Sequence, residues 1–482
     1  MIRKILLLSV LLLSGCGVQV VRMDSEKPDT VTEYEIIHTD ENEEVTLNIV
    51  DWSDSTKKSR EELNAKFMAD YPNVTINYTT LTQAQFNETM LSGIRSGNAP
   101  DLFPLPSTIN FSTAIDEGWF IPLNNYLDNP FFDKIKSGLL QNNVTNVGED
   151  VYLLPEAEEI SSTLLFYNKS LLKEAGISLE EYELPLTWEE FASISKAVTE
   201  QGQGNYYGNI TSGAQKNRLD LELRSFSEVA GSNIGPAEQL FLDDSRVVFD
   251  SQEVLDAFDL YSELYQAGTF HPDTASLSAP EARQLFAENK AAFIAQGAWC
   301  IPIWDANNPE LEYGVMKVPV PSRETNGKMI QPFTKGWMGI SSSSEHPDIA
   351  AKYLEYLYSY EYQHKLVELG GFVSILKSIS SEDISNQNMR DYYLFALEQS
   401  SAIDNPVVQN PDLELVYQII QPVVPDFGDI ASSIFTGNSN YHEKLNQLSI
   451  QTQKNLVLSV ESIARKIDIE IADFNNKQAP SQ

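Results

Sequence analysis

Residues 45–103 read VTLNIVDWSDSTKKSREELNAKFMADYPNVTINYTTLTQAQFNETMLSGIRSGNAPDLF. Val45, Leu47 and Ile49 alternate with Thr46 and Asn48, the period-two pattern of a half-buried strand. The strand runs into Asp51-Trp52-Ser53-Asp54, and a helix with Leu63, Phe67 and Met68 on one face follows. After Tyr71-Pro72-Asn73, Val74, Ile76 and Tyr78 alternate again. A second helix carries Phe86, Met90, Leu91 and Ile94 and stops at Gly97. Pro100 to Phe103 reads as a third short strand. This β-α-β-α-β order predicts a parallel sheet with helices on its faces. Ligands of such sheets lie beyond the carboxyl ends of the strands. Trp52 to Ser55 and Leu105 to Thr108 fall at those ends.

Working outward, Val151 to Pro155 and Thr163 to Tyr167 read as strands. Thr187-Trp188-Glu189-Glu190 and Ser278-Ala279-Pro280-Glu281 are capping boxes, with Ser or Thr ahead of the first turn and Glu three residues on. Val254, Phe258, Tyr261 and Tyr265 mark an amphipathic helix ending at Gly268. A single long helix is predicted over 347–369, before Gly370-Gly371. The last hundred residues show mostly helical spacing, and no internal repeat is present.

The chain has 482 residues, enough for two large lobes. Its 69 acidic and 33 basic residues give a formal charge of −36. That surface repels nucleic-acid phosphates and anionic headgroups, and it suits a neutral or a cationic ligand. At the N-terminus, Arg3 and Lys4 precede the apolar run Ile5 to Leu13, which is too short to span a bilayer. The run ends in Leu13-Ser14-Gly15-Cys16, which resembles the bacterial lipobox. The resemblance implies a lipoprotein signal peptide over 1–15 and a lipidated Cys16. Residues 16–44 are acidic and weakly apolar, the composition of a flexible tether to the membrane. The other cysteine is Cys300, so a lipidated Cys16 leaves no partner for an intramolecular disulfide.

The five histidines are scattered and none forms a His-x-x-x-His or Cys/His pairing, so neither a metal nor another cofactor is expected. G-x-S-x-G, Walker and G-x-G-x-x-G motifs are missing. Glu156, Glu158 and Glu159 could mimic a glycosidase carboxylate pair, but residues that close in sequence rarely face each other across a substrate.

The six tryptophans carry more information. Trp52 ends the first strand. Trp299 follows Gln296-Gly297-Ala298 after a strand over Ala291 to Ala295, Trp304 comes soon after, and Trp337 follows Lys335-Gly336. Trp119 and Trp188 lie on or beside helices and read as core. A sugar ring offers an apolar CH face and a rim of hydroxyls. An aromatic plate covers the face, while carboxylates and amides bond the rim.

Five segments in order resemble family 1 extracellular solute-binding proteins, the group that contains the maltose-binding protein. They are Asn98 to Phe103, Leu165 to Leu172 (LFYNKSLL), Leu186 to Phe191 (LTWEEF), Phe286 to Trp299, and Ala350 to Leu354. The likeness runs from about residue 45 to the C-terminus. The chain departs from the pattern at Asn289-Lys290, where the family often has a glycine, and at Phe372-Val373, where it often has a proline. Its C-terminal part is longer than in compact members.

The resemblance implies an α/β fold of two lobes, each a mostly parallel sheet flanked by helices and joined to the other by hinge strands. Lobe 1 would comprise 45–157 and 338–388, and lobe 2 would comprise 158–337 and 389–482. The cleft would collect Trp52, Asp54 and Ser107 from the first lobe, and Glu156 and Glu159 near the hinge. Arg218 or Asp220 would come from the second lobe, with Trp299 and Trp337 as plates. The implied function is capture of a sugar or oligosaccharide by hinge closure, without catalysis, by a lipid-anchored monomer outside the cell. Delivery would be to the permease subunits of an ABC importer. Three other readings stay open on the sequence: a cationic cargo such as a polyamine or peptide, a surface glycosidase, and a ligand-sensing partner of a membrane receptor.

Overall fold

The computed structural model describes residues 43–52, 57–237, 240–325, 327–369, 372–437, 440–464 and 467–475. The expected signal peptide, Cys16 and nearly all of the expected tether therefore lie outside the described residues.

In the first sheet, β1 (Val45–Asp51) pairs in parallel with β2 (Val74–Thr80), in register from Val45 opposite Val74 to Asp51 opposite Thr80. β3 (Leu102–Pro104) lies on the other side of β1, with Leu102 opposite Ile49. The alternation read in the sequence has a direct cause: Val45, Leu47 and Ile49 are buried while Thr46 and Asn48 face out. Each apolar side chain so buried contributes about 1.5–3 kcal/mol. The helix Lys57–Asp70 buries Leu63 and Phe67. The helix Gln83–Arg95 opens on a capping box between Thr82 and Gln85. Gly97 follows it with φ +75°, a left-handed conformation that favours glycine.

The second sheet has the order β5-β6-β4-β7, from Leu164–Asn168 (β4), Tyr207–Asn209 (β5), Ala291–Gln296 (β6) and Tyr313–Met316 (β7). This sheet is mixed. β5 and β6 are parallel, whereas β4 runs antiparallel to both β6 and β7. β4 starts where the chain arrives from the first sheet, and Leu164 there pairs with Gln296 at the end of β6. The antiparallel pairing therefore brings the arriving chain and the carboxyl end of β6 to the same edge. Both predicted capping boxes form: the Glu190 amide donates to Thr187 Oγ1 at 3.2 Å, and the Ser278 amide donates to Glu281 Oε2 at 2.8 Å.

The fourth strand of the first sheet comes from far along the chain. β8 (Met338–Ile340) pairs antiparallel with β3, giving the order β8-β3-β1-β2. The segments that run between the sheets lie side by side: the Leu154 amide donates to Met338 O (3.0 Å), and the Glu159 amide donates to Thr334 Oγ1 (3.1 Å).

The predicted single helix over 347–369 is instead two, Pro347–Leu357 and Tyr360–Glu368. Ser359 is extended, and its hydroxyl accepts from the Tyr362 amide at 3.2 Å, which starts a new helix. The break lets Tyr353, Tyr358 and Tyr362 turn inward. Their hydroxyls reach Asn64 (2.7 Å), Pro155 O (2.8 Å) and Arg60 (3.3 Å) respectively.

Beyond residue 400 the chain builds a second apolar core. Val407, Leu413, Val416, Leu456, Val460 and Phe474 pack with Leu242 and Val247. The helices involved are Leu413–Ile419 and the long Tyr441–Ile463. Among the described residues, no helix is long and apolar enough to cross a membrane.

Candidate ligand-binding groove

The carboxyl ends of β1, β3 and β6 and the segments running between the two sheets surround a groove of about 630 Å³. Trp52 follows β1, Pro104 to Ser107 close β3, and Ala298 and Trp299 follow β6. The position is where open parallel sheets bind ligands, because loops leaving the strand ends diverge there. An adjoining cavity of about 760 Å³ shares Ser107, Ile109 and the strip 159–162 with it.

Three indoles line the groove. Trp52 is 37% exposed, Trp299 is half-buried and Trp337 is 7% exposed. Trp299 folds back over Gly297, where an added Cβ would lie 2.1 Å from the indole. The glycine two residues ahead of the tryptophan is therefore what makes room for the ring. Two buried arginines back two of the three plates. The Arg218 guanidinium lies over the Trp299 ring at 5.9 Å from its centroid, and that of Arg60 lies over Trp337 at 5.2 Å.

The carboxylates are held rather than loose. Glu156 is ion-paired with Arg60, which is 1% exposed and whose Nη1 donates to Tyr362 Oη. Glu158 receives Lys136 Nζ at 2.7 Å. Burial works against the charge of Lys136, but its bond to Glu158 wins and raises its pKa. Glu159 is wetted by the groove yet walled in by it. That enclosure raises its carboxyl, opposed by Lys335, and it lowers the Lys335 ammonium in turn.

Of the residues read from the sequence, Trp52, Ser107, Glu156, Glu159, Trp299 and Trp337 line this groove. Arg218 and Asp220 do not appear on its wall. Arg218 sits behind Trp299, donating to Ser162 O at 3.1 Å and to Thr163 Oγ1. Asp220 pairs with Arg224, one helical turn on. Asp54 lies outside the described residues.

The groove also uses residues that the sequence did not single out. Asn87 clamps Ser107 from both sides: the Ser107 amide donates to Asn87 Oδ1 (3.1 Å), and Asn87 Nδ2 donates to Ser107 Oγ (3.0 Å). Tyr392 donates to Ser161 O at 3.0 Å and lines the wall. Glu414 reaches the groove from the C-terminal helix Leu413–Ile419, and burial raises its carboxyl to about 7. Among the described residues, no cluster of three His, Cys, Asp or Glu could hold a metal ion.

In the adjoining cavity, Glu228 is buried and accepts from the Ile330 amide at 3.0 Å. Burial pushes its carboxyl up to about 8, with the Ile330 bond and Arg224 opposing and Asp220 adding. The folded protein then holds a proton that the unfolded chain releases near 4.5. The contribution of Glu228 to stability therefore falls as pH rises from about 4.5 to about 8. Melting curves of wild type and Glu228→Gln across this range should diverge by up to a few kcal/mol at the alkaline end, with the variant flatter. Parallel curves would contradict the assignment of a neutral Glu228.

Comparison with known proteins places this geometry in context. The model of a family described as bacterial extracellular solute-binding protein matches residues 52–364. A binding protein of Brucella abortus is 22% identical over 402 residues, spanning 80% of this chain and 85% of that protein. The multiple sugar-binding protein of Streptococcus mutans is 20% identical over 347 residues, spanning 70% of this chain and 77% of that protein. The solved structure of an ABC transporter solute-binding protein from Thermotoga lettingae, bound with α-D-tagatose, superposes with a TM-score of 0.60 at 21% identity. It covers 85% of this chain and 99% of the other, a likeness of fold.

Proposed function

Because the chain belongs to the bacterial extracellular solute-binding protein family, whose members are binding proteins that work outside the cytoplasm, we propose that it captures a neutral sugar or oligosaccharide. The observation that carries this reading is the groove wall itself, in which Trp52, Trp299 and Trp337 meet hydroxyl, amide and carboxylate groups. Indole faces suit the CH side of a sugar ring, and the polar groups suit its rim. A cationic cargo is less well served. Glu156 and Glu158 already have buried or half-buried cations as partners, and burial favours the uncharged form of Glu228. The name of the Streptococcus mutans relative agrees with a sugar.

In this reading the two sheets belong to two lobes, 45–157 with 338–388 and 158–337 with 389–482. A ligand resting on one lobe gains contacts with the other only when the groove narrows, and this difference in affinity shifts the population toward closure. The closed form then delivers its unaltered cargo to the permease subunits of an ABC importer. The protein acts as a monomer held to the membrane through a lipidated Cys16.

Thermal melting against a panel of neutral sugars and of polyamines tests the proposal. A sugar present at about 100 times its Kd should add about 2.7 kcal/mol of stability. A shift with polyamines alone would overturn it.

A further inference from the structure

The family match ends at residue 364, yet the wall of the adjoining cavity is completed by Glu414, Tyr417 and Gln418 from a helix beyond it. We infer that the C-terminal module builds a second sugar subsite, so that the cargo is an extended oligosaccharide rather than a mono- or disaccharide. This rests on the carbohydrate reading above.

Continuity is the first argument. The 760 Å³ cavity and the 630 Å³ groove share one floor, the strip 159–162 with Ser107 and Ile109. Each falls within the range of roughly 300–1,000 Å³ in which a single site encloses a drug-sized ligand. A cargo confined to the tryptophan-lined part would leave the second part filled with water.

Rigidity is the second. The helix Leu413–Ile419 does not hang free over the cavity. Leu413 and Val416 are anchored in the module's own core. Tyr417 Oη donates to Leu240 O at 3.4 Å and the Leu242 amide donates to Phe474 O at 3.0 Å. Asn143 Nδ2 donates to Val408 O at 3.1 Å, a further tie between the module and the rest of the chain. A wall fixed at several points is what a selective subsite needs.

The lining chemistry is the third. The second cavity has no tryptophan among its described residues, but it has the rings of Phe333 and Tyr417, the amide of Gln418, and hydroxyls such as Ser225. Of its ionisable groups, Arg224 pairs with Asp220, Glu228 accepts from the Ile330 amide, and Glu159 and Lys335 offset each other, while Glu414 joins them from the module. Between them lie hydroxyl, amide and ring groups that suit the rim and face of a sugar.

Calorimetric titration of the folded chain with length ladders of gluco-, galacto-, arabino- and xylo-configured glycans, from monosaccharide to tetrasaccharide, tests this. In the ladder that binds, affinity should rise at least about tenfold from disaccharide to tetrasaccharide. Gln418→Ala removes an amide from the second cavity only, at an exposed position. It should reduce that gain and leave the disaccharide Kd unchanged. Tyr417→Ala should reduce the gain as well. Affinity that is independent of length, or a gain left intact in both variants, would overturn the subsite and leave the carbohydrate reading standing. If no glycan of any ladder binds the folded protein, the carbohydrate reading falls and the subsite with it.

Discussion

Trp299→Ala should weaken sugar binding by about 30-fold or more, a loss of about 2 kcal/mol, while the unliganded protein still melts cooperatively. The indole is half-buried, so part of its surface faces the groove. Its pose is over-determined, with Gly297 beneath it and the Arg218 guanidinium 5.9 Å from the ring centroid. A plate held this firmly loses little entropy on meeting a ligand, which is why its truncation should be felt in affinity. Trp188→Ala is the internal control. That indole donates to Pro319 O at 2.9 Å and is absent from the groove lining, so its loss should cost stability and leave the Kd alone. Equal Kd values for wild type and Trp299→Ala would remove the indole from the site.

Arg60→Met should lower unfolding free energy by about 3–5 kcal/mol. Arg60 is 1% exposed and serves several groups at once. It pairs with Glu156, donates to Tyr362 Oη, and lies over Trp337. Asp51, fully buried nearby, accepts from Tyr78 Oη at 2.9 Å. Removing the cation leaves buried carboxylates without its field, and that desolvation cost outweighs the gain from an apolar side chain. Arg60→Lys should recover part of the loss, because the charge returns without the guanidinium fork. Sugar affinity should fall too, since Glu156 and Trp337 both lean on this residue. Denaturant titration reads the first effect and calorimetry the second. A variant as stable as wild type would show that the network around Glu156 is not structural.

How much of this was legible before the fold was known follows from the range of the interactions. β1, β2 and their helices declare themselves by period, because one face of each element is buried along its whole length. The capping boxes at Thr187 and Ser278 are complete within four residues. Trp299 was legible because the glycine it folds over is only two positions away. Longer reach defeats the sequence. Arg218 and Asp220 sit on one helix, but their surroundings separate them: Arg218 meets the chain at Ser162, and Asp220 meets Arg224. Asn87, Tyr392 and Glu414 join the groove only through tertiary packing, and no local pattern marks them. The helix break at Ser359 was missed because neither Gly nor Pro announces it, and a serine hydroxyl does the capping. The mixed order of the second sheet depends on where the chain arrives from the first, which periodicity cannot report.

Small-angle X-ray scattering of the protein, first alone and then saturated with a sugar that shifts its melting, tests the central claim most directly. Closure of two lobes around an unaltered guest predicts a smaller radius of gyration in the saturated sample, and recovery of the intact sugar after denaturation. An unchanged radius at full occupancy would contradict closure, and a cleaved sugar would contradict a pure carrier.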